Sequence, residues 1–401
     1  MSEYVIHPIK GIRIGVVEAG IRKKNRKDLV LMEISEKSHV AAVFTQNTFC
    51  AAPVVVAKEY LKKTTPKYLL INTGCANAGM GKQGIADARA SCLSLAKIAG
   101  CKPEQVLPFS TGVIGEPLPV DRIAMALPEA MKVLSPDSWR LAAQGIMTTD
   151  TREKLVSRQT KIGGKTVTIT GIAKGAGMIK PNMATMLSYV ATDANISKSL
   201  LNALLKDVVN VSFNRITVDG DTSTNDVCLL IATREAGNTL INSKESSDYK
   251  RFKKMVEGVF IELAQAVIRD AEGATKFITL QVKGGKTAVE CLKVAYAVAE
   301  SPLVKTAFFA ADPNWGRIVA AIGRSGINDL NADAVKIHLN EVLIVEKGGR
   351  AKTYTEADGQ RVMKQTDITI TIHLGRGKVE QIVWTSDLSH DYIKINAEYR
   401  S

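Results

Sequence analysis

The residues best suited to chemistry lie in one run, Lys174-Gly175-Ala176-Gly177-Met178-Ile179-Lys180-Pro181-Asn182-Met183-Ala184-Thr185-Met186-Leu187. Two glycines permit backbone paths closed to other residues. Pro181 fixes a turn and keeps the residues before it extended. A phosphate cradle needs its glycines to lead into a helix N-terminus. Here the residues from Thr185 onward read as a strand, so a nucleotide loop fits poorly. Thr185 suggests other chemistry. A threonine hydroxyl is a weak nucleophile without a base. Cutting the Ala184–Thr185 peptide would free an α-amine with a pKa of roughly 7.7–8.0. That amine can take the proton of its own side chain, directly or through one water. By residue type alone, a threonine opening a strand is also open to a purely structural role.

The elements around this run alternate between the two regular periods. Residues 13–17, 29–34, 40–44, 53–58 and 68–72 read as strands, followed by a Gly-rich loop and a helix over 85–99 that stops at Gly100. Helices are expected over 120–133 and 137–147, then strands over 165–172 and 186–192. A helix over 197–211, opening near Asn195, precedes a buried-type strand at 227–232 and a long amphipathic helix at 247–272. Short strands follow at 277–282, 335–339, 342–345, 368–374 and 379–385, with a helix over 288–299. No tandem repeat or low-complexity linker interrupts them. The pattern is α/β of the α+β type, with many strand pairs close enough for antiparallel pairing.

Composition narrows the function classes. The chain has 401 residues, 45% hydrophobic and 23% charged, which suits a globular protein of two to three domains and excludes general disorder. No apolar stretch approaches the ~18 residues of a membrane helix, and the first residues lack the apolar region of a signal peptide. The six cysteines form no CxxC pair and the five histidines are scattered, so no metal site is expected and the thiols read as reduced and structural in a cytoplasmic protein. The 219–230 run fails the calcium-loop template, with no Gly at its sixth place and Leu230 at its twelfth. The net charge of +13 suits nucleic acid, but Lys and Arg are spread along the chain and aromatics are only 5%. The one dense basic run, Arg22-Lys23-Lys24-Asn25-Arg26-Lys27, reads as a solvated hairpin loop or as a patch attracting anions such as carboxylates or coenzyme A phosphates.

The 174–187 run closely resembles the self-cleavage signature of the ornithine acetyltransferase (ArgJ) family, the bifunctional glutamate N-acetyltransferase/amino-acid acetyltransferases of arginine biosynthesis. The resemblance spans the chain. It takes in Phe44-Thr45-Gln46-Asn47, Ser110-Thr111-Gly112-Val113-Ile114-Gly115, Met147-Thr148-Thr149-Asp150-Thr151 and the run from Thr217 to Asp226. It continues through Asp270-Ala271-Glu272-Gly273, Ala311-Asp312-Pro313-Asn314-Trp315-Gly316-Arg317 and the terminal Asn396-Ala397-Glu398-Tyr399-Arg400-Ser401. It implies a layered sandwich of mostly antiparallel sheets covered by helices, in a self-cleaved enzyme with an N-terminal nucleophile.

Further implications follow from the resemblance. The precursor cuts itself between Ala184 and Thr185, giving an α chain of residues 1–184 and a β chain of 185–401 that assemble as α2β2. Thr185 carries acetyl from N2-acetylornithine to glutamate in a ping-pong reaction without a cofactor, and acetyl-CoA stays open as a second donor. Thr111 and Gly112 match the family's oxyanion hole. Thr148, Lys174, Thr185, Glu272, Asn396 and Ser401 match its substrate contacts. A lysine suits the substrate carboxylate, Glu272 an ammonium, and neutral groups a pocket that hosts both ornithine and glutamate. Ser401 departs from the usual terminal Thr but keeps a hydroxyl, and Cys75 and Gly79 depart in the 72–79 loop. One rival is a self-cleaving aminopeptidase of the related fold, which would hand its acyl group to water. Another is a basic nucleic-acid-binding protein. Neither a membrane nor nucleic acid is expected as partner.

Overall fold

All six residues of the segment Val227–Ala232 are apolar or small and all six are buried, the pattern of a strand covered on both faces. That strand sits at the heart of a computed structural model describing residues 5–180 and 186–398. In chain order the strands are β1 (Ile12–Val17), β2 (Leu29–Ile34), β3 (His39–Phe44), β4 (Tyr68–Cys75), β5 (Val106–Val113), β6 (Lys154–Ile162), β7 (Lys165–Lys174), β8 (Leu187–Thr192), β9 (Ile216–Thr217), β10 (Val227–Ala232), β11 (Phe277–Gly285), β12 (Lys336–Leu339), β13 (Val342–Glu346), β14 (Gly349–Arg350), β15 (Asp367–His373) and β16 (Val379–Ser386). The helices are α1 (Ala52–Lys63), α2 (Gly81–Ala99), α3 (Val120–Lys132), α4 (Trp139–Gly145), α5 (Lys198–Val211), α6 (Ser247–Arg269), α7 (Ala288–Ala299), α8 (Pro302–Phe309), α9 (Trp315–Gly323), α10 (Glu356–Met363) and α11 (His390–Ala397).

The chain divides into two compact units, each treated by itself. The first holds residues up to 175 together with 181–214 and 222–267; the second holds 176–180, 215–221 and 268 onward. In the first, one sheet runs β1-β2-β4-β5 and another β3-β10-β8-β7-β6. Antiparallel neighbours dominate both; β4–β5 and β8–β10 are the parallel pairs. The sheets share one apolar core, in which Leu31, Leu69, Leu107 and Phe109 meet Ile172, Leu187, Tyr189 and Leu229. The rings of Phe109 and Tyr189 meet edge to face, 5.5 Å apart. This is sheet-on-sheet packing with helices outside, as expected for the fold class. α1 and α2 lie on β5, and α5 lies on β3 and β10.

One expected strand is a helix. The 53–58 run, rich in valine, forms the first half of α1, which Pro53 opens from the first turn. Val54, Val56, Ala57 and Tyr60 then bury one face. Tertiary packing overrides the strand preference of β-branched residues there. The expected helices at 137–147 and 247–272 are shorter, at Trp139–Gly145 and Ser247–Arg269. Strands β5, β6, β9 and β14 and helices α8 to α11 were not expected.

The second unit is built on one sheet, β14-β13-β12-β15-β11-β16-β9. Its core joins Leu280, Val282, Ile337, Ile370, Ile372 and Val383 to the apolar faces of α7, α8, α9 and α10. Ser301, Asn314 and Thr355 cap α8, α9 and α10 by accepting a backbone N–H in the first turn. The units do not follow the division at residue 184. The five-stranded sheet takes β3, β6 and β7 from before that point and β8 and β10 from after it.

Candidate active site

The run of interest begins at the end of β7. Lys174 is the last residue of that strand and pairs across the ladder with Leu187, the first of β8. On the far side of β8, Val227 of β10 is level with Leu187. The strands that close off the 175–186 segment therefore bring Lys174 and the head of β10 to one edge of one sheet. Met186, which is bonded to Thr185, donates its N–H to Asp226 Oδ1 at 2.8 Å and its carbonyl accepts Val227 N–H at 2.8 Å.

Thr111 and Gly112 come from the other sheet of the same unit, near the end of β5. Gly112 pairs with Gly74 of β4 and has φ +133°; a Cβ there would sit 2.3 Å from the Gly74 carbonyl carbon. Only glycine allows the two strand ends to approach this closely. The turn is tied to β10 through Asn225, whose side-chain amide donates to the carbonyls of Ala76 at 2.7 Å and Ser110 at 2.9 Å. Ser110 Oγ in turn donates to Asn72 Oδ1 at 2.6 Å, and Asn72 Nδ2 donates to the Cys75 carbonyl. Cys75, at a departure from the family pattern, is a buried free thiol whose pKa burial pushes up, which suits a structural role.

Lys174 Nζ reaches Thr111 Oγ1 at 3.3 Å. An ammonium only donates, so Thr111 Oγ1 is the acceptor and its own O–H is left to point at a third group. A hydroxyl that accepts from a cation is itself polarised as a donor. That is the chemistry an oxyanion requires.

A buried carboxylate organises the remainder of this corner. Asp150 Oδ2 accepts the Thr148 N–H at 2.9 Å, and Oδ1 accepts Gly175 N–H at 2.8 Å and Lys154 Nζ at 2.5 Å. The side chains of Asp150 and Lys154 are 0% and 1% exposed. Burial alone would raise the Asp150 pKa. The charges of Lys174 and Lys154 and the hydrogen bonds outweigh it and hold the carboxyl well below the usual range. The Arg26 guanidinium, from the dense basic run, donates to the Met147 and Thr148 carbonyls, so part of that run is bonded to this segment. Arg22 pairs with Glu116 at 2.7 Å.

In the second unit, Glu272 N–H donates to the Ala176 carbonyl at 3.0 Å. A Cβ on Gly177 would lie 2.3 Å from Glu272 Oε2, so the absence of a side chain admits the carboxylate. Asn396 of α11 donates from Nδ2 to Glu272 Oε2 at 2.8 Å and to the Tyr392 carbonyl at 2.9 Å. The Tyr392 hydroxyl donates to Asp219 Oδ2 at 3.1 Å, and Asp219 accepts the N–H groups of Met178 and Ile179 at 2.7 and 2.9 Å. The Asp219 run is thus a loop-holding device for 178–179. Among the described residues no His, Cys, Asp and Glu cluster fits a metal ion.

The expected site residues therefore fall into three sets. Thr111, Gly112, Thr148 and Lys174 share the first unit, where Lys174 meets the Thr111 hydroxyl; Glu272 and Asn396 are in direct contact in the second. Ala184, Thr185 and Ser401 lie outside the described residues. Sequence reasoning overlooked Asp150, Asn225 and Asp226. All three stand inside motifs already singled out, and a buried polar residue flanking a motif was the available signal.

A model described as the ArgJ family matches residues 13–401. The chain belongs to the ArgJ family. The arginine biosynthesis bifunctional protein ArgJ of Pseudomonas fluorescens is 54% identical over 99% of this chain and 98% of its own length. That of Pseudomonas syringae pv. tomato is 55% identical over the same shares. Among solved structures, ArgJ of Bacillus halodurans is 37% identical over 51% of this chain and 95% of the solved chain, with a TM-score of 0.49. The ornithine acetyltransferase of Mycobacterium tuberculosis, solved with ornithine, is 31% identical over 44% and 94%, with a TM-score of 0.39.

Proposed function

We propose that this chain is a self-processing acetyltransferase of arginine biosynthesis, acting in the cytoplasm, that moves acetyl from N2-acetyl-L-ornithine to L-glutamate. The observation that carries the reading is the contact of Lys174, the last residue of β7, with the Thr111 hydroxyl. In this reading the α-amine of the cut chain takes the Thr185 hydroxyl proton as Oγ attacks the acetyl carbonyl. The tetrahedral oxyanion accepts from the Thr111 hydroxyl and the Gly112 N–H. Ornithine departs with a proton, leaving acetyl on Thr185 Oγ, and the amine of glutamate then takes the acetyl by the reverse path. Lys174 serves the substrate carboxylate and Thr148, Glu272, Asn396 and Ser401 serve the remainder of the substrate. Acetyl-CoA is proposed as a second donor, in line with the bifunctional names of the relatives.

The α chain (1–184) and β chain (185–401) stay joined in this reading, within an α2β2 assembly. The sheet order supports their association: β8 and β10 lie between β7 and β3, with six residue pairs on each flanking ladder. Parting the chains would unzip both. Incubation with N-acetylornithine and glutamate tests the reaction. Acetylglutamate and ornithine are the expected products; acetate in place of acetylglutamate would make the protein a hydrolase.

A further inference from the structure

The dense basic run lies in the turn between β1 and β2, and no step of the proposed reaction uses it. Residues 18–28 carry five basic and two acidic side chains. Both acids are engaged by the turn's own backbone. Asp28, 2% exposed, accepts the N–H groups of Ala19 and Ile21 at 2.6 Å each. Glu18 accepts the Asn25 N–H at 2.6 Å. The chain reverses at Asn25 with φ +58°, a left-handed conformation that asparagine tolerates.

Two of the five bases fasten the turn to the polar corner of the same unit. Arg26 donates to the carbonyls of Met147 and Thr148, and the Thr148 N–H goes to Asp150. Arg22 pairs with Glu116, and its Cβ lies 2.9 Å from the place that a Cβ on Gly74 would take. Gly74 is the ladder partner of Gly112. Thr73, beside it, donates its N–H to the Asp28 carbonyl at 2.9 Å. The turn is thus a fixed rim of the corner that holds Thr111, Gly112, Thr148 and Lys174. Lys23, Lys24 and Lys27 are exposed, and their ammonium groups find no partner among the described residues.

Like charges held in one turn repel one another, and an anion that meets all of them relieves that repulsion. The small substrates of the proposed reaction carry carboxylates, for which Lys174 suffices. A cluster of ammonium groups fits a more highly charged guest. The second donor of the proposed function is of that class: its acetyl thioester hangs by a pantetheine arm from a pyrophosphate and a ribose phosphate. An acetyl group placed at the corner leaves those phosphates outside it, at the rim. Resting on that part of the reading, we propose that Lys23, Lys24 and Lys27 dock the phosphates of acetyl-CoA. Lysine binds phosphate as a point charge on a flexible stem and needs no planar fork. The arginines of the same run hold the turn in place; the lysines are left for the guest.

The experiment reads binding apart from turnover, by calorimetric titration of coenzyme A into the purified protein at low and at moderate salt. In Lys23→Glu/Lys24→Glu/Lys27→Glu, folded by circular dichroism, the Kd should rise about tenfold or more and lose the salt dependence seen in wild type. The KM for acetylornithine should not move. The same charge change at exposed Lys244, Lys250 and Lys254, before and on α6, should leave the Kd unchanged. Pantetheine, which lacks the phosphates, should bind wild type and the turn variant alike. An unchanged Kd in the turn variant, an equal rise in the α6 variant, or a wild-type protein that does not bind coenzyme A overturns the site. Inorganic pyrophosphate bound as tightly as coenzyme A makes the turn a general anion patch and also overturns it. Coenzyme A bound through the turn, with no acetylglutamate formed from acetyl-CoA, keeps the site and instead refutes the second donor.

Discussion

The first unit's polar corner and the second unit's Glu272–Asn396 pair are built differently. In the first, Asp150, Asn225 and Asp226 are buried and bonded to backbone amides or carbonyls, so they fix the main chain at Gly175, Ser110 and Met186, and buried Lys154 pairs with the Asp150 carboxylate. In the second, Glu272 is buried but its partner is an exposed side chain on α11. Groups that fix backbone set the geometry of reacting atoms, where an error of 1 Å costs rate. A side chain displayed from a helix tunes which guest is held. Under the proposed function, the first unit's corner would carry the chemistry and the second unit's pair the recognition of the guest.

The largest test is Thr185→Ala. It should leave one uncut polypeptide and lower transfer by roughly 10⁴-fold or more, as read by intact mass and acetylglutamate formation. Next is the buried pair, tested in that uncut background so that unfolding is of a single chain. Lys154→Met alone should destabilise by about 3–5 kcal/mol, because it strips a buried carboxylate of a partner. Denaturant midpoints for Lys154→Met and Lys154→Met/Asp150→Asn should show the double variant recovering part of the loss. The pair also fixes a pH window. Asp150's folded pKa lies below its unfolded one, so its stabilisation is present at neutral pH and is lost as the pH falls through the unfolded value of about 3.9 toward the lower folded one. The acid limb should flatten in Asp150→Asn.

Thr111→Val should lower kcat by about 10²–10³-fold with little change in KM, the mark of a group acting on the transition state. Unchanged kcat would remove it from the oxyanion site. The smallest effect belongs to the second unit: Asn396→Ala should raise the KM for acetylornithine about tenfold, the loss of roughly 1.4 kcal/mol, and leave self-cutting at its normal rate. A kcat loss as deep as that of Thr111→Val would erase the distinction between the regions.

Much of this was legible from the chain alone. β10 was legible as six consecutive apolar or small residues, whereas Thr185, singled out by its neighbours, lies outside the described residues. The α1 segment misled because Val54-Val55-Val56 favours a strand by type, while Pro53 and packing on β5 decide for a helix. The supporting polar residues were hidden for another reason. Asp150 meets Gly175 across 25 residues, Asp226 meets Met186 across 40, and Asn225 meets Ser110 across 115. Local periodicity carries no trace of such bonds; the register of β6, β7, β8 and β10, and the packing of the β5 sheet on theirs, bring the partners together.

The central claim is that a new N-terminus at Thr185 makes its own side chain reactive. Its most direct test is the denatured mass spectrum of the purified protein after incubation with N-acetylornithine and no acceptor. The account predicts two fragments that meet between Ala184 and Thr185, with one acetyl group on the Thr185 residue of the second. A single intact chain that still transfers acetyl would contradict it.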